Sequence, residues 1–423
     1  MKVAIYSLGC KVNIYESEYV TSILKDNNYE IASFDEQADI YIINTCTVTN
    51  ESDKKSRKII NQARRKNKDA IIIVMGCYAQ IKHNEIDADI VLGNKDKSKI
   101  VEIIEEYLKN KNKIDRVYDL TKEDFEDMEI SGFDTHTRAF VKIQDGCNAY
   151  CSYCIIPFSR GPIRSKKKEK VIEEITKLVN NGYKEIVLTG IHTGKYGLDI
   201  NTNLEELLKE ILKIKGLYRI RLSSIEINEI TDGILDLIKN NDIIAHHLHI
   251  PLQSGSNKIL KLMNRRYSKE LFIEKVDKIK KSINDISITT DLIVGFPGET
   301  DEDFEETIDT LNKINFTKIH TFPYSKREGT PASTMKEQIN GKVKKERVRK
   351  VIELSNKEEE SFYKNNIGKI YEGVTEVRKD GKVVVHTSNF IPIILNKNID
   401  NNQIVNAKII KTDKLNVYGE FYS

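Results

Sequence analysis

Residues 147–154 read Cys147-Asn-Ala-Tyr-Cys151-Ser-Tyr-Cys154, a run that offers three thiolates where a structural metal site usually needs four. A structural zinc ion is normally closed by four ligands, supplied by paired Cys-x-x-Cys clips or by regularly spaced histidines. No fourth Cys or His lies near this run. A cluster of four irons and four sulfides accepts cysteines at such tight spacing, and with only three of them it keeps one iron open. A zinc site with a distant ligand and three buried thiols stay open as alternatives.

The spacing Cys-x-x-x-Cys-x-x-Cys, with Tyr153 directly before the last cysteine, resembles the radical S-adenosylmethionine enzymes. The resemblance implies a [4Fe-4S] cluster on Cys147, Cys151 and Cys154, with S-adenosylmethionine bound at the open iron. It also implies that reduction of the cluster cleaves this cofactor and releases a 5′-deoxyadenosyl radical. It indicates little about the substrate.

Length and composition limit the class of protein. At 423 residues the chain is too long for one hydrophobic core and should divide into two to four domains. With 39% hydrophobic and 31% charged residues it is typical of a globular protein. The longest apolar runs are too short to span a bilayer, and Met1 leads into a strand-like segment rather than a signal peptide. Because free thiols indicate a reducing compartment, we expect a cytoplasmic protein with no membrane partner.

Positive charge is concentrated in three segments, although the net charge is only +3. Residues 54–68 contain eight Lys and Arg and no acid, and further basic stretches cover residues 164–170 and 342–350. A solvated helix face is the usual meaning of one such run. Three runs in a chain of nearly balanced charge favour a basic surface that contacts nucleic acid.

The first 110 residues alternate short apolar strands with amphipathic helices, the pattern of a parallel sheet covered by helices. Cys10, Cys46 and Cys77 each follow the end of a predicted strand. Ligands of open parallel sheets bind just beyond the carboxyl ends of the strands, so these three thiols are expected to meet at one edge. The alternatives are three unrelated thiols or a structural zinc ion that again lacks a fourth ligand. We interpret the thiols as a second three-cysteine cluster site with an open iron.

Four motifs together resemble one family, the methylthiotransferases, over essentially the whole chain. They are Leu8-Gly-Cys-Lys-Val-Asn-Ile-Tyr-Glu-Ser17, Asn44-Thr-Cys-Thr-Val-Thr49, Met75-Gly-Cys-Tyr-Ala79 and the run at 147–154. Branches of the family act on isopentenyladenosine in tRNA, on threonylcarbamoyladenosine in tRNA, or on an aspartate of a ribosomal protein. The first two motifs are most similar to the threonylcarbamoyladenosine branch, because the isopentenyladenosine branch usually has Gln-Met-Asn after the first cysteine.

This resemblance implies radical insertion of a methylthio group at C2 of N6-threonylcarbamoyladenosine, at tRNA position 37 next to the anticodon. It implies two [4Fe-4S] clusters and two molecules of S-adenosylmethionine, one methylating a sulfur at the Cys10, Cys46 and Cys77 cluster and one cleaved at the other cluster. The partners it implies are the tRNA anticodon arm and an electron donor such as a flavodoxin or a ferredoxin. A sister enzyme of another branch stays an alternative, as does a non-enzymatic RNA-binding metal protein.

Six further strand–helix units are predicted after Arg138, with strands at residues 139–144, 185–188, 219–223, 248–251, 289–294 and 319–322. Six units suggest an open partial (β/α) barrel with its chemistry at the carboxyl ends of the strands. The resemblance to the radical S-adenosylmethionine enzymes implies that such strand ends hold the cofactor. Segments there contain Gly190, Glu226 and Gln253, which together with Tyr153 are candidate cofactor-binding residues. Gly190 permits close backbone approach. Glu226 and Gln253 can hydrogen-bond a ribose or place polar groups near the substrate, and ordinary loop chemistry is the alternative.

Three histidines, His246, His247 and His249, are spaced like metal ligands. We interpret them as structural or substrate-facing instead, because no carboxylate partner of the kind that orients metal-binding histidines is evident.

The predicted organisation is an α/β amino-terminal domain at 1–120, an acidic linker at 121–134, a radical S-adenosylmethionine domain at 135–362 and a small domain at 363–423. Short strands at hairpin spacing and the turn in Lys379-Asp-Gly-Lys382 predict a small antiparallel β-barrel for the last of these. Such barrels commonly bind looped RNA, and this one resembles the TRAM domain. A β cap without a ligand is the alternative.

Overall fold

The amino-terminal region is a parallel sheet covered by helices on both faces. The computed structural model describes residues 1–133 and 137–422. In this region its elements are β1 (Lys2–Ser7), α1 (Lys11–Asp26), β2 (Glu30–Ala32), β3 (Ile40–Thr45), α2 (Asn50–Lys66), β4 (Ile71–Gly76), α3 (Cys77–Lys82), β5 (Ile90–Leu92), α4 (Ile100–Asn110) and β6 (Ile114–Arg116). The strand order is β2-β1-β3-β4-β5-β6. The central strands β3 and β4 are buried throughout, because separate apolar cores cover the two faces of the sheet. The predicted parallel sheet is confirmed.

The central region is an open barrel of six parallel strands. Its elements are β7 (Ala139–Lys142), β8 (Gln144–Asp145), α5 (Ile156–Arg160), β9 (Arg164–Ser165), α6 (Lys168–Asn180), β10 (Glu185–Thr189), α7 (Leu204–Ile211), β11 (Arg219–Leu222), α8 (Asp232–Asn240), β12 (His247–His249), α9 (Asn257–Leu262), α10 (Lys269–Ser282), β13 (Ser287–Val294), α11 (Asp301–Ile314), β14 (Lys318–Pro323) and α12 (Gly341–Lys364). Two three-stranded sheets, β7-β10-β11 and β12-β13-β14, are joined by a parallel bridge between Ile220 and Ile244. The predicted partial barrel is therefore confirmed.

The acidic segment predicted as a linker at 121–134 is packed against the barrel. Met128, Ile130 and Phe133 are buried in the barrel core. The Tyr15 hydroxyl of α1 donates to the Met128 carbonyl oxygen at 2.6 Å. The predicted domain boundary at 134/135 falls on residues 134–136, which lie outside the described residues. The part that is described joins the amino-terminal sheet to the barrel.

The carboxy-terminal region is a closed five-stranded barrel of β15 (Ile370–Val377), β16 (Val383–Thr387), β17 (Pro392–Leu395), β18 (Ile404–Asp413) and β19 (Asn416–Tyr422), in the order β15-β16-β17-β19-β18. Four of its strand pairs are antiparallel, as predicted, and the fifth pair, β17 with β19, is parallel. The reason is geometric: an odd number of strands cannot alternate in direction around a closed ring. The last residue of the predicted domain, Ser423, lies outside the described residues.

A turn of this small barrel closes the central barrel at the amino-terminal ends of its strands. Arg221 donates to the carbonyl oxygens of Thr387 and Ser388 at 2.6 and 3.0 Å. The Phe390 ring stacks on His247 with a centroid distance of 4.8 Å. The opposite end of the barrel, where the strands finish, faces the amino-terminal sheet. In the part of the chain that the structure describes, no helix has the length and apolar character to cross a membrane.

Candidate functional site

Three thiols come together at the carboxyl edge of the amino-terminal sheet. Cys10 caps α1, Cys46 directly follows β3, and Cys77 is the first residue of α3. Gly9, with a φ of +98°, allows this approach, because a Cβ there would lie 2.7 Å from the Cys46 Cβ. Burial and then the neighbouring Cys77 thiolate raise the pKa of Cys46 to about 11. These thiols interact electrostatically and are called the first trio below.

Arg160, the last residue of α5, is fully buried between the first trio and the run at 147–154. Its Nε donates to Cys77 Sγ at 3.2 Å. Its Nη1 donates to the carboxylates of Glu16 at 2.8 Å and Asp145 at 3.0 Å. Glu16 belongs to α1, whose amino terminus carries a thiol of the first trio, and Asp145 lies two residues before Cys147. One side chain thus ties the two cysteine segments together.

The charges around Arg160 leave an excess of positive charge. Lys97 lies 3.3 Å from Glu16, and Lys142 lies 2.8 Å from Glu16 and 2.7 Å from Asp145. All five residues are at most 3% exposed. Three cations against two carboxylates leave at least one buried positive charge, which is costly when nothing compensates it. A cysteine of the first trio that binds iron would supply that negative charge, because thiolate is the form in which cysteine binds iron.

Replacing Arg160 by methionine is expected to lower the free energy of unfolding by about 3–5 kcal/mol, because it breaks a buried ionic network. Burial alone raises the pKa of Glu16, but the charges of Arg160, Lys142 and Lys97 outweigh it and hold that pKa well below its usual range. The stabilisation is therefore present above the unfolded-state pKa of about 4.3 and is lost as the pH falls further. Urea unfolding at pH 7 and at pH 3 measures both effects.

Arg347→Met is the matched control for this substitution. Arg347 is also buried, and it donates to Glu299 at 2.5 Å and to Asp301 at 2.7 Å. Both variants should lose stability, whereas only Arg160→Met should lose iron from the first trio. An Arg160→Met protein with the stability and iron content of the wild type would contradict this account.

The run at 147–154 forms a loop after β8. Its three thiols are called the second trio below. Gly146 has a φ of +74°, and a Cβ there would lie 1.8 Å from the Pro162 carbonyl oxygen, so only glycine fits. The Cys147 amide donates to the Gly161 carbonyl oxygen at 3.0 Å. Pairing of β8 with β9 holds the two ends of the loop together. The thiols therefore lie at the carboxyl ends of the barrel strands, where barrel enzymes place their chemistry.

Cationic side chains contact two thiols of the second trio. Cys147 Sγ lies 3.3 Å from His192 Nδ1, and Cys151 Sγ accepts from Arg265 Nη1 at 3.4 Å. Burial lowers the pKa of His192, but Cys147 and the Glu229 carboxylate, 2.7 Å away, raise it to about 10. The ring is therefore charged at neutral pH. Because cations beside sulfur favour the thiolate, the donor set fits a cluster held by three thiolates.

A cavity of about 220 Å³ lies on one side of the second trio and is lined by Cys151, His192, Glu226, Glu229 and Arg265, among others. The predicted site residue Glu226 is held here by an ion pair with Arg265. Its carboxylate is fixed at the wall of a cavity that opens onto a cysteine of the trio.

A second cavity, of about 210 Å³, lies between the amino-terminal sheet and the barrel. Tyr153, Cys154 and Gln253 line it from the barrel side. Val48 and Thr49, which closely follow the first-trio cysteine at the end of β3, line it from the other side. Gln253 has a φ of +65°, a strained conformation of the kind found at binding sites. Segments that carry both trios thus face one cavity, called the shared cavity below.

The predicted site residue Gly190 lines neither of these two cavities and lies against Gln144. A Cβ at Gly190 would lie 2.9 Å from Gln144 Oε1. That same oxygen accepts from the backbone N–H of His192 at 2.7 Å. The glycine therefore permits the packing that positions His192 beside the second trio.

The interior of the barrel is polar. Side chains alternate along each strand, and the outward set, including Ile186, Leu188, Ile220 and Leu222, packs in the helix-covered core. The inward set includes the charged residues and histidines Glu185, Arg219, Arg221, His247, His249, Asp291 and His320. His249 Nε2 lies 3.2 Å from Asp291 Oδ2. The expectation that the histidines have no carboxylate partner was wrong for His249, because Asp291 comes from the neighbouring strand.

Within residues 1–133 and 137–422, no three His, Cys, Asp or Glu side chains are arranged to hold a single metal ion.

Family patterns and known proteins match the regions that contain the two trios. The pattern of the Radical SAM superfamily matches residues 141–311, and that of the Uncharacterized protein family UPF0004 matches residues 2–93. The threonylcarbamoyladenosine tRNA methylthiotransferase MtaB of Bacillus subtilis is 44% identical over 432 residues, which cover 99% of this chain and 96% of that protein.

The chain belongs to the radical S-adenosylmethionine methylthiotransferase family. A more distant relative, the tRNA-2-methylthio-N(6)-dimethylallyladenosine synthase of Thermoanaerobacter pseudethanolicus, is 36% identical over 98% of this chain and 92% of that protein. The structure of the radical S-adenosylmethionine methyltransferase TsrM from Kitasatospora setae superposes with a TM-score of 0.56 at 14% identity, covering 78% of this chain and 73% of that one. At that identity the similarity concerns the fold alone.

The burial of several charged side chains of this methylthiotransferase was not predicted from its sequence. The basic stretch at 164–170 was expected on the surface, but Arg164 and Lys166 are buried. Arg160 and Arg265, which contact cysteine sulfurs, carry no motif of their own. Charged residues near the cysteine segments were the available signal, and their burial could not be read from the sequence.

Proposed function

We propose that this protein inserts a methylthio group at C2 of N6-threonylcarbamoyladenosine at position 37 of tRNA, next to the anticodon. The observation that carries the proposal is the shared cavity, about 210 Å³ in volume, which segments of both trios line. A reaction that uses two cysteine-held clusters on one carbon atom needs both within reach of one bound base. The 44% identity to the relative named for threonylcarbamoyladenosine, against 36% for the relative named for dimethylallyladenosine, supports the choice of substrate.

In this proposal each trio holds one [4Fe-4S] cluster, on Cys147, Cys151 and Cys154 and on Cys10, Cys46 and Cys77. When bound, the clusters and S-adenosylmethionine supply the radical that takes hydrogen from C2 and the sulfur that replaces it. The chain itself orients the reactants. Arg265 fixes the Glu226 carboxylate for hydrogen bonds to a ribose, and Gln253 and Tyr153 form the wall of the shared cavity. Enclosure between the sheet and the barrel excludes water from the reacting carbon.

The RNA would be held by α2, which starts at the shared cavity. Thr49 lines that cavity and caps the amino terminus of α2. One face of α2 is buried, while Lys55 and Lys58 lie on its exposed face. The target base is unpaired in a loop, so it can enter the cavity without melting a duplex. Contacts to phosphates make this binding weaken as salt rises. The proposal places the reaction in the cytoplasm, with a flavodoxin or a ferredoxin as electron donor.

The nucleoside composition of treated tRNA tests this function. Anaerobically reconstituted protein, S-adenosylmethionine, a reductant and tRNA bearing N6-threonylcarbamoyladenosine should yield its 2-methylthio derivative, detected by mass spectrometry. A matched tRNA bearing N6-isopentenyladenosine should yield at least about 10-fold less, because each lost charge-assisted contact is worth about 1.5–3 kcal/mol. Product on the isopentenyladenosine tRNA alone would contradict the proposed substrate.

A further inference from the structure

Lys11 presents an ammonium group at the junction of the first trio and the barrel interior. It directly follows Cys10 and is the first residue of α1. Its side chain is exposed to solvent, and within the described residues it takes part in no hydrogen bond or ion pair. The protein around Lys11 partly shields its ammonium from water. This desolvation, followed by the positive charges of Arg138 and Arg221, lowers the pKa of Lys11 to about 8. Its own charge acts on His247 inside the barrel.

The carboxylates near Lys11 are already paired with other cations. Glu185 accepts from Arg221 Nε at 2.6 Å and lies 3.3 Å from Arg219 Nη1. Asp291, deeper in the barrel, pairs with His249. These pairs leave no interior carboxylate for the Lys11 ammonium among the residues described. The interior therefore offers a positive charge that a bound anion can neutralise.

We propose that Lys11 determines substrate specificity by binding the carboxylate of the threonylcarbamoyl group. The inference rests on the proposed function and names the part of the substrate that this residue recognises. A threonylcarbamoyl group carries a carboxylate and a hydroxyl, whereas a dimethylallyl group is an uncharged hydrocarbon. Both are attached to N6, which lies on the same edge of adenine as C2 and is separated from it by N1.

Position and charge make Lys11 suited to this task. When C2 faces the first trio, the N6 substituent on the same edge of the base also lies near that trio, and Lys11 directly follows Cys10 of the trio. The surrounding protein partly desolvates the accessible Lys11 ammonium, and a charge-assisted hydrogen bond in such a site is stronger than one in water. A neutral substituent would cover the ammonium without pairing it, and sites with unpaired polar groups reject such analogues. Lys11 thus favours one N6 substituent and disfavours the other.

Binding of two matched RNA stem-loops to the reconstituted holoenzyme tests this role. One carries N6-threonylcarbamoyladenosine, and the other carries the same group with its carboxylate converted to a carboxamide. The wild type should bind the acid about 10- to 100-fold more tightly, the range expected for a hydrogen bond between charged groups. Lys11→Met should bind both with the affinity that the wild type has for the amide. Lys11→Arg should keep most of the preference.

The kinetic readout separates recognition from a structural effect. In Lys11→Met the KM for the acid stem-loop should rise by the factor by which its binding weakens. The kcat should change little, because the lost contact is to the carboxylate and not to C2. Lys215→Met, which removes an exposed lysine from the loop between α7 and β11, should behave as the wild type in both assays.

Two results would overturn the inference: equal binding of acid and amide by the wild type, or an unchanged preference in Lys11→Met. Since binding is measured without turnover, its outcome is independent of the proposed reaction. A protein that prefers the acid through Lys11 but forms no methylthio product supports the role of Lys11 and contradicts the proposed function alone.

Discussion

Cys147→Ala should reduce the formation of 5′-deoxyadenosine from S-adenosylmethionine by more than about 100-fold. Even substitutions of residues that only contact a metal ligand lower metal affinity or activity by about 10- to 100-fold. Three thiolates are the fewest that hold a four-iron cluster and leave one iron open, so the loss of one removes the site rather than weakening it. Cys147 is the thiol beside the His192 cation, 3.3 Å from its Nδ1. Chromatographic measurement of 5′-deoxyadenosine after anaerobic reduction gives the result directly.

His192→Gln provides the graded control for this substitution. It removes the cation but leaves the thiol, so cluster content should persist while the cluster becomes harder to reduce. Iron analysis distinguishes the two variants: Cys147→Ala should retain about four of the about eight irons expected for two clusters, and His192→Gln should retain all of them. Cofactor cleavage at the wild-type rate by Cys147→Ala would show that these thiols are not the site of that chemistry.

The fold could be predicted wherever a local pattern determines it. The apolar run at 71–76 is buried on both faces as β4, and its composition alone favoured a central parallel strand. The parallel pairing of β17 with β19 had no local signal, because it follows from closing a ring of five strands. The packing of residues 121–133 was missed for another reason. The acids of this segment dominate its composition, whereas its few apolar residues, including Met128 and Ile130, decide where it lies.

The candidate site was predictable only in part, because cysteine positions follow from strand ends but their surroundings do not. Charged residues are usually exposed, so a sequence does not indicate that Arg160 is buried among residues from distant segments. One signal was available. Glu16 continues the series Val12, Val20 and Leu24 at intervals of four residues, and these positions lie on one buried helix face. A carboxylate in such a stripe predicts a buried cationic partner, which the structure provides in Arg160 and Lys142.

Cys46→Ala should separate the two halves of the proposed reaction. The second trio and its cationic partners Arg265 and His192 are untouched by this change, so cleavage of S-adenosylmethionine should continue at close to the wild-type rate. The first trio would keep two thiols, too few to hold its cluster, so methylthio product should fall by more than about 100-fold. Alanine fits the site, because the Cys46 Cβ already lies against Gly9 and the substitution adds no atom.

Measuring both products in one reaction makes this prediction decisive. A Cys46→Ala protein that forms 5′-deoxyadenosine but no 2-methylthio nucleoside, with about four irons instead of about eight, assigns the first trio to sulfur delivery. Zinc in the wild-type first trio, or normal methylthio product from the variant, would contradict that assignment. Loss of both products would show that the second trio depends on the first. Such a dependence would act through Arg160, which contacts Cys77 of the first trio and the carboxylate of Asp145 just before the second trio.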